Sequence, residues 1–169
     1  VEGVGTPTLT VEGLLDIQTD VSYSVAEDPT DAMFFIASAL VTKSALTIVA
    51  APIEFLEVEL FVLDKMGLAF SIDTPRVSEN GITKLVDLHL GPSELTAFPE
   101  KIHARPYPAL NIDNLPFFAV IATQAKGTTL IHDWSYEKRA IYYTELDRLG
   151  ATTLLHDPHR LSIEGPTSL

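Results

Sequence analysis

Apolar and small residues crowd one broad helical face between Ala32 and Thr42. From Pro52 to Gly67 they return at Ile53, Leu56, Leu60 and Leu63, the spacing of a one-sided helix. Asp28-Pro29 ahead of the first stretch offers a capping carboxylate and a first-turn proline; Pro52 opens the second stretch and Gly67 ends it. Shorter runs, Leu9 to Ile17, Val21 to Val25, Leu46 to Val49, Leu68 to Ile72 and Leu85 to Leu90, read as strands, with Asn80-Gly81 turning between the last two. The order then returns: strand Lys101 to Ala104, helix Asp113 to Ala125, strand Thr128 to His132, helix Tyr136 to Leu149, and strands Thr152 to His156 and Arg160 to Ile163. Each half predicts a β-α-β-α-β-β unit. One-sided helices need a sheet beneath them, so the fold class is α+β, built of α/β repeats around a shared helical core that holds Phe34-Phe35 and Phe117-Phe118.

The return is visible residue by residue. Asp28 to Ile72 aligns on Asn111 to Leu155 without a gap at a constant offset (111 − 28 = 83), pairing Phe34-Phe35 with Phe117-Phe118, Lys43 with Lys126, and Glu54 with Glu137. Such a self-match means one folding unit used twice. Gly13, Gly91 and Gly165 each close a short apolar run, at spacings of 78 (91 − 13) and 74 (165 − 91). The expected organisation is therefore one partial domain over 1–169: a first unit at about 9–91, a second at about 92–165, and the start of a third at 161–169. The chain reads as a piece of a longer protein.

Composition narrows the chemistry. With 46% hydrophobic residues the chain is no disordered segment, and no apolar run nears the roughly 20 residues that span a bilayer, so no membrane association is expected. The start of the chain lacks the pattern of a signal peptide. A net charge of −12 with Lys138-Arg139 as the one adjacent basic pair disfavours nucleic acid. The absence of cysteine excludes thiolate chemistry within these residues. The five histidines (His89, His103, His132, His156, His159) show no metal-ligand spacing, and neither a metal nor a cofactor is expected.

The two units differ where function concentrates. Apolar Ala50-Ala51-Pro52-Ile53 joins strand to helix in the first; in the second the same place holds His132-Asp133-Trp134-Ser135-Tyr136-Glu137-Lys138-Arg139. Glu27 to Asp31 precedes the first helix, whereas Tyr107 to Asn114 precedes its counterpart. Loops feeding helix N-termini are where anionic and sugar ligands are held.

These loops carry a resemblance. Arg105-Pro106-Tyr107-Pro108-Ala109-Leu110-Asn111-Ile112-Asp113 is similar to Pro-Tyr-Pro-Gly-Phe-Pro-Thr-Asp of the enolpyruvyl transferases, in the branch whose acceptor is UDP-N-acetylglucosamine. Thr123-Gln124-Ala125-Lys126-Gly127-Thr128 follows, then Tyr136-Glu137-Lys138-Arg139 for Phe-Glu-Asn-Arg and Glu145 to Ala151 for Glu-Leu-x-Arg-Met-Gly-Ala. The first unit resembles the family more loosely, with Asp28-Pro29-Thr30-Asp31-Ala32 for Asp-Arg-Ile-Glu-Ala. The resemblance implies an inside-out α/β barrel half, one of two domains of three such units each, with the active site in the cleft between them. It implies a cytoplasmic transferase that moves the enolpyruvyl group of phosphoenolpyruvate to the 3-hydroxyl of UDP-N-acetylglucosamine in peptidoglycan precursor synthesis, partnered by a second domain of the same polypeptide.

On the family pattern Asp113 falls on the base that contacts the 3-hydroxyl, Ser135 and Tyr136 on the loop that contacts the amino sugar, and Glu137 and Arg139 on residues that support that loop. Each has a plainer reading: Asp113 as a helix N-cap, Ser135-Tyr136 as an ordinary helix start, Glu137 in a structural role shared with Glu54, Arg139 in a stabilising ion pair. The pattern is broken at Pro29 (arginine in the family), Lys138 (asparagine) and Asn111-Ile112 (Pro-Thr). The family's acid and most of its phosphate-binding arginines fall on segments these residues do not include, so this chain alone is expected to be inactive. A relative that uses shikimate 3-phosphate and a non-catalytic binding or assembly module are the alternatives.

Overall fold

A computed structural model describes residues 1–168 apart from Gly5, Ile17 and Thr19. Its first layer begins with α1 (Pro29–Val41), which starts where Asp28 Oδ1 accepts the Thr30 N–H at 2.7 Å. Strand β1 (Leu46–Pro52) leads through a short 3₁₀ turn (Ile53–Phe55) into α2 (Glu57–Met66), which Gly67 ends at φ 106°, a left-handed cap that glycine adopts without strain. β2 (Phe70–Ile72) and the two-residue β3 (Arg76–Val77) then lie along one edge of β4 (Lys84–Leu90), and β1 lies along the other, all antiparallel.

The second layer opens with β5 (Lys101–His103). A 3₁₀ turn (Ile112–Asn114) feeds α3 (Leu115–Ala122), followed by β6 (Gly127–His132) and the single turn α4 (Arg139–Tyr142). A 3₁₀ stretch (Tyr143–Leu149) leads to β7 (Thr152–Asp157) and β8 (Arg160–Gly165). The sheet runs β5-β6-β8-β7, with β5 parallel to β6 and the other pairs antiparallel. The element order from Lys101 to Gly165 is thus β-α-β-α-β-β, as the periodicity predicts, and the chain is α+β.

α1 packs on α3, and one continuous core runs between the sheets: Met33, Ile36, Leu63, Met66 and Leu88 from the first layer, Leu115, Phe118, Ile121, Ile131 and Leu161 from the second. At Gly165 a Cβ would fall 2.5 Å from the Ala125 carbonyl and 2.7 Å from that of Ala122, so the end of β8 touches α3 only because no side chain intervenes.

Three expectations are corrected. Leu9 to Ile17 and Val21 to Val25 form no strand among the described residues. Thr10 makes one isolated bridge to Glu2, while Leu14 (76%) and Val25 (83%) stay exposed. Apolar alternation marks a strand only where a neighbouring edge accepts its N–H and C=O groups, and β1 pairs with β4 alone. Second, the helix expected over Tyr136 to Leu149 is an α-turn over Arg139–Tyr142 and then 3₁₀. Lys138 sits at φ 63°, outside helical space, and the aromatic and β-branched run Tyr142-Tyr143-Thr144 propagates a helix poorly. Third, Phe118 is fully buried, but Phe34 and Phe35 are 52% and 48% exposed, where α1 turns that face outward.

Candidate functional site

The first turns of the helices gather at one end of the molecule. Around them lies a pocket of about 500 Å³, bounded by Pro29 of α1, Glu54-Phe55 and Glu57-Val58-Glu59 at the start of α2, the Arg105 to Ala109 loop, Asn111 and Ile112 before α3, and Trp134-Ser135 after β6. That volume suits a small organic ligand. Its walls are fixed by short contacts: Trp134 Nε1 donates to the Ala104 carbonyl at 2.7 Å, and the Phe55 and Tyr107 rings stand 6.2 Å apart.

Beside the pocket, Arg139 organises the second-unit loop. Its Nε donates to Asp133 Oδ2, Nη2 donates to the Ile112 carbonyl at 2.7 Å, and Nη1 lies 3.7 Å from Asp113 Oδ1. The guanidinium carbon stands 4.3 Å above the Tyr136 ring, a cation–π contact. Asp133 is wholly buried and also accepts from the Tyr143 hydroxyl at 2.6 Å, while its Oδ1 has no hydrogen-bond partner. Its main chain is pinned as well: the Asp133 N–H donates to the His159 carbonyl at 2.8 Å. Burial pulls Arg139 down, but the Asp133 hydrogen bond and the Tyr143 and Asp133 charges outweigh it and hold the guanidinium above its ordinary pKa. Burial, then the Asp133 carboxylate, push the Tyr143 phenol well above its usual range. Arg139 is therefore a fixed cation, its charge set against a buried carboxylate on one side and turned toward Asp113 on the other.

Asp113 itself is 57% exposed. It is not the N-cap: Asn111 Oδ1 accepts the Asp113 N–H at 3.0 Å, which leaves the Asp113 carboxylate free. Ser135 lines the pocket, and Tyr136 is half-exposed under Arg139. The fold thus brings Asp113, Ser135, Tyr136 and Arg139 to one end. Glu137 is exposed and enters no hydrogen bond or ion pair among the described residues, whereas Glu54 accepts the Lys84 N–H at 3.1 Å and pairs with its ammonium, so the two share no structural role.

Sequence reading missed three residues. Asp133 continues the inward face of β6, since Thr129, Ile131 and Asp133 alternate and all three are fully buried. Glu59 stands three residues after Leu56 and four before Leu63, on the buried stripe of α2, and is 2% exposed. A charged residue at an apolar register was the available signal for both. Tyr143, four residues past Arg139, carried none.

Known proteins agree with this architecture. The family model described as EPSP synthase (3-phosphoshikimate 1-carboxyvinyltransferase) matches residues 1–168. UDP-N-acetylglucosamine 1-carboxyvinyltransferase of Treponema pallidum is 32% identical over 169 residues, covering 100% of this chain and 39% of the relative. That of Bradyrhizobium diazoefficiens is 29% identical over 171 residues, covering 100% and 38%. The chain therefore spans somewhat over a third of the length of these curated relatives. Among solved structures, EPSP synthase from Acinetobacter baumannii superposes with a TM-score of 0.68 at 22% identity, over 85% of this chain and 32% of the other. The enolpyruvyl transferase NikO from Streptomyces tendae superposes with a TM-score of 0.64 at 23% identity, over 85% and 31%. These two likenesses carry the fold. Matched from end to end by the family model, the chain belongs to the EPSP synthase (3-phosphoshikimate 1-carboxyvinyltransferase) family of enolpyruvyl transferases.

Proposed function

We propose that this chain forms part of the sugar-nucleotide side of the cleft in an enolpyruvyl transferase that acts on UDP-N-acetylglucosamine and phosphoenolpyruvate. The observation that carries the reading is the exposed Asp113 carboxylate, next to pocket-lining Asn111 and Ile112 and 3.7 Å from the fixed Arg139 cation, in a chain about 30% identical to enzymes of that name. In this role Asp113 takes the proton of the sugar 3-hydroxyl as its oxygen bonds to C2 of phosphoenolpyruvate and the methylene carbon gains a proton. Phosphate then leaves C2, and a proton lost from the new methyl group restores the enol ether. Arg139 balances the Asp113 charge and holds its turn by the Ile112 carbonyl. Ser135 and Tyr136 face the amino sugar. The chain contains no cysteine; in this reading the proton donor to the methylene and most of the cations for phosphate lie on segments these residues do not include, and a second domain of the same polypeptide is the partner.

A second reading, shikimate 3-phosphate as acceptor, draws on the family description. The Tyr136-Glu137-Lys138-Arg139 loop speaks for the sugar-nucleotide acceptor instead, as do the curated relatives at about 30% identity, which carry that name. No helix is long and apolar enough to cross a membrane among the described residues, and a cytoplasmic location fits a water-soluble nucleotide-sugar acceptor. Phosphate release by the full-length protein, with each acceptor in turn, decides between the two. Release with UDP-N-acetylglucosamine and none with shikimate 3-phosphate is the expected result.

A further inference from the structure

We propose that Glu59, in the first unit, is a positioning residue for the Asp113 turn of the second; the inference rests on the role given to Asp113 above. Glu59 is 2% exposed, and such burial costs a carboxylate several kcal/mol unless hydrogen bonds replace its water. Its Oε1 accepts two: from the Asn111 N–H at 2.9 Å and from Asn114 Nδ2 at 2.9 Å. Asn111 and Asn114 are the two ends of the turn that carries Asp113, and Asn114 is itself fully buried. Between them the Ile112 carbonyl is gripped at 2.7 Å by Arg139. One turn of four residues is thus held at both ends by a buried acid of the first unit and in the middle by a fixed cation of the second. The one charged side chain of that turn, the exposed Asp113 carboxylate, is left facing Arg139.

The repeat shows that this is no general property of the unit. At the offset of 83 the counterpart of Glu59 is Tyr142 (59 + 83), 73% exposed. A packing residue of α2 would be apolar, as Leu56, Leu60 and Leu63 beside it are. The acid occurs only where α2 meets the Asp113 turn, and it faces the pocket. A displacement of about 1 Å at such a turn costs on the order of a hundredfold in rate.

The test uses the full-length protein, with kcat, KM for UDP-N-acetylglucosamine and melting temperature measured together. Glu59→Leu is expected to lower kcat about 10- to 100-fold with KM changed less than about threefold. Glu59→Gln, which keeps the acceptor at the same reach, recovers most of kcat. Glu59→Asp, which keeps the charge but falls short of Asn111, does not. If Glu59→Leu fails to fold, the Gln and Asp variants decide. A loss confined to melting temperature, with kcat of the folded enzyme unchanged, overturns the proposal, as does an Asp variant as active as the Gln one. Asp113→Asn is run alongside: if it too retains full turnover, the fault lies with the role of Asp113, and if it alone is inactive, the role of Glu59 fails.

Discussion

Ala50 and Asp133 occupy the same place in the two units (133 − 50 = 83), Ala50 near the end of β1 and Asp133 just past β6. In the first unit this residue bulges. Ala50 sits at φ 60°, and its N–H donates at 2.9 Å to Asp87 Oδ1, which also accepts from Arg76 Nη2 at 2.7 Å. A carboxylate of the neighbouring strand closes the loop onto the sheet. In the second unit the carboxylate belongs to the loop residue itself and is buried beneath Arg139 and Tyr143. One end of the motif stays common: Asp28 Oδ1 accepts from Thr30 N–H and Asn111 Oδ1 from Asp113 N–H, the same cap on corresponding residues (111 − 28 = 83). A repeat thus conserves the devices that start its helices, while the loop before its second helix is free to serve a sheet in one copy and a reactive group in the other.

The sharpest way to break that comparison is to exchange the capped residues. Asp113→Asn in the full-length protein is expected to lower kcat 10²- to 10⁴-fold, the usual contribution of a general base. Thr30→Ala, at the equivalent first-unit position, is expected to stay within twofold. Phosphate-release kinetics check both, and unchanged turnover in Asp113→Asn removes the asymmetry altogether. Next in size is Asp133→Ala. It strands a largely buried Arg139, whose side chain is 19% exposed, so a loss of about 3–5 kcal/mol in denaturant unfolding is expected.

Why the cap was legible in the sequence and the buried acid was not is a matter of range. Asp28-Pro29, Gly67 and Asn80-Gly81 act on their own backbone within three residues, so their chemistry can be read locally, and the structure places α1, the end of α2 and the β3–β4 turn there. Asp133 and Glu59 act across the fold, on residues 6 and 52 positions away, and only their charge at an inward register betrays them. The strand signal of Val21 to Val25 failed for the same reason in reverse: alternation records a tendency, while pairing needs an edge that the sequence does not name.

One titrating group in each unit acts at opposite ends of the pH range. Asp87 is held below its ordinary carboxylate pKa by the Ala50 N–H first and the Arg76 guanidinium second, so the stability it adds is present above pH 3.8 and lost as pH falls through the folded value. Tyr143 is raised, so its contribution is complete below pH 10.0 and drains away as pH climbs through the interval above. Asp87→Asn is expected to make the acid limb of the stability curve shallower, with Glu54 and Asp157 still contributing to it, and Tyr143→Phe to make the alkaline limb shallower, each leaving the other unchanged. Urea midpoints across the pH range check this, and an alkaline limb that survives Tyr143→Phe breaks the assignment.

The smallest effect isolates backbone from side chain. Each unit keeps one non-glycine residue of this loop in left-handed space, but not the same one: Ala50 at φ 60° in the first, Lys138 at φ 63° in the second. That conformation costs an ordinary residue about 1–2 kcal/mol, and asparagine, which the family pattern carries at the position of Lys138, adopts it more readily. Lys138→Asn is therefore expected to stabilise the second unit by about 0.5–1 kcal/mol without touching Arg139. Ala50→Gly relieves the same conformation but also frees the unfolded chain, so its gain is smaller. If Lys138→Asn instead destabilises, the lysine makes a contact that its conformation does not reveal, and the loop is held by more than the Asp133–Arg139 pair.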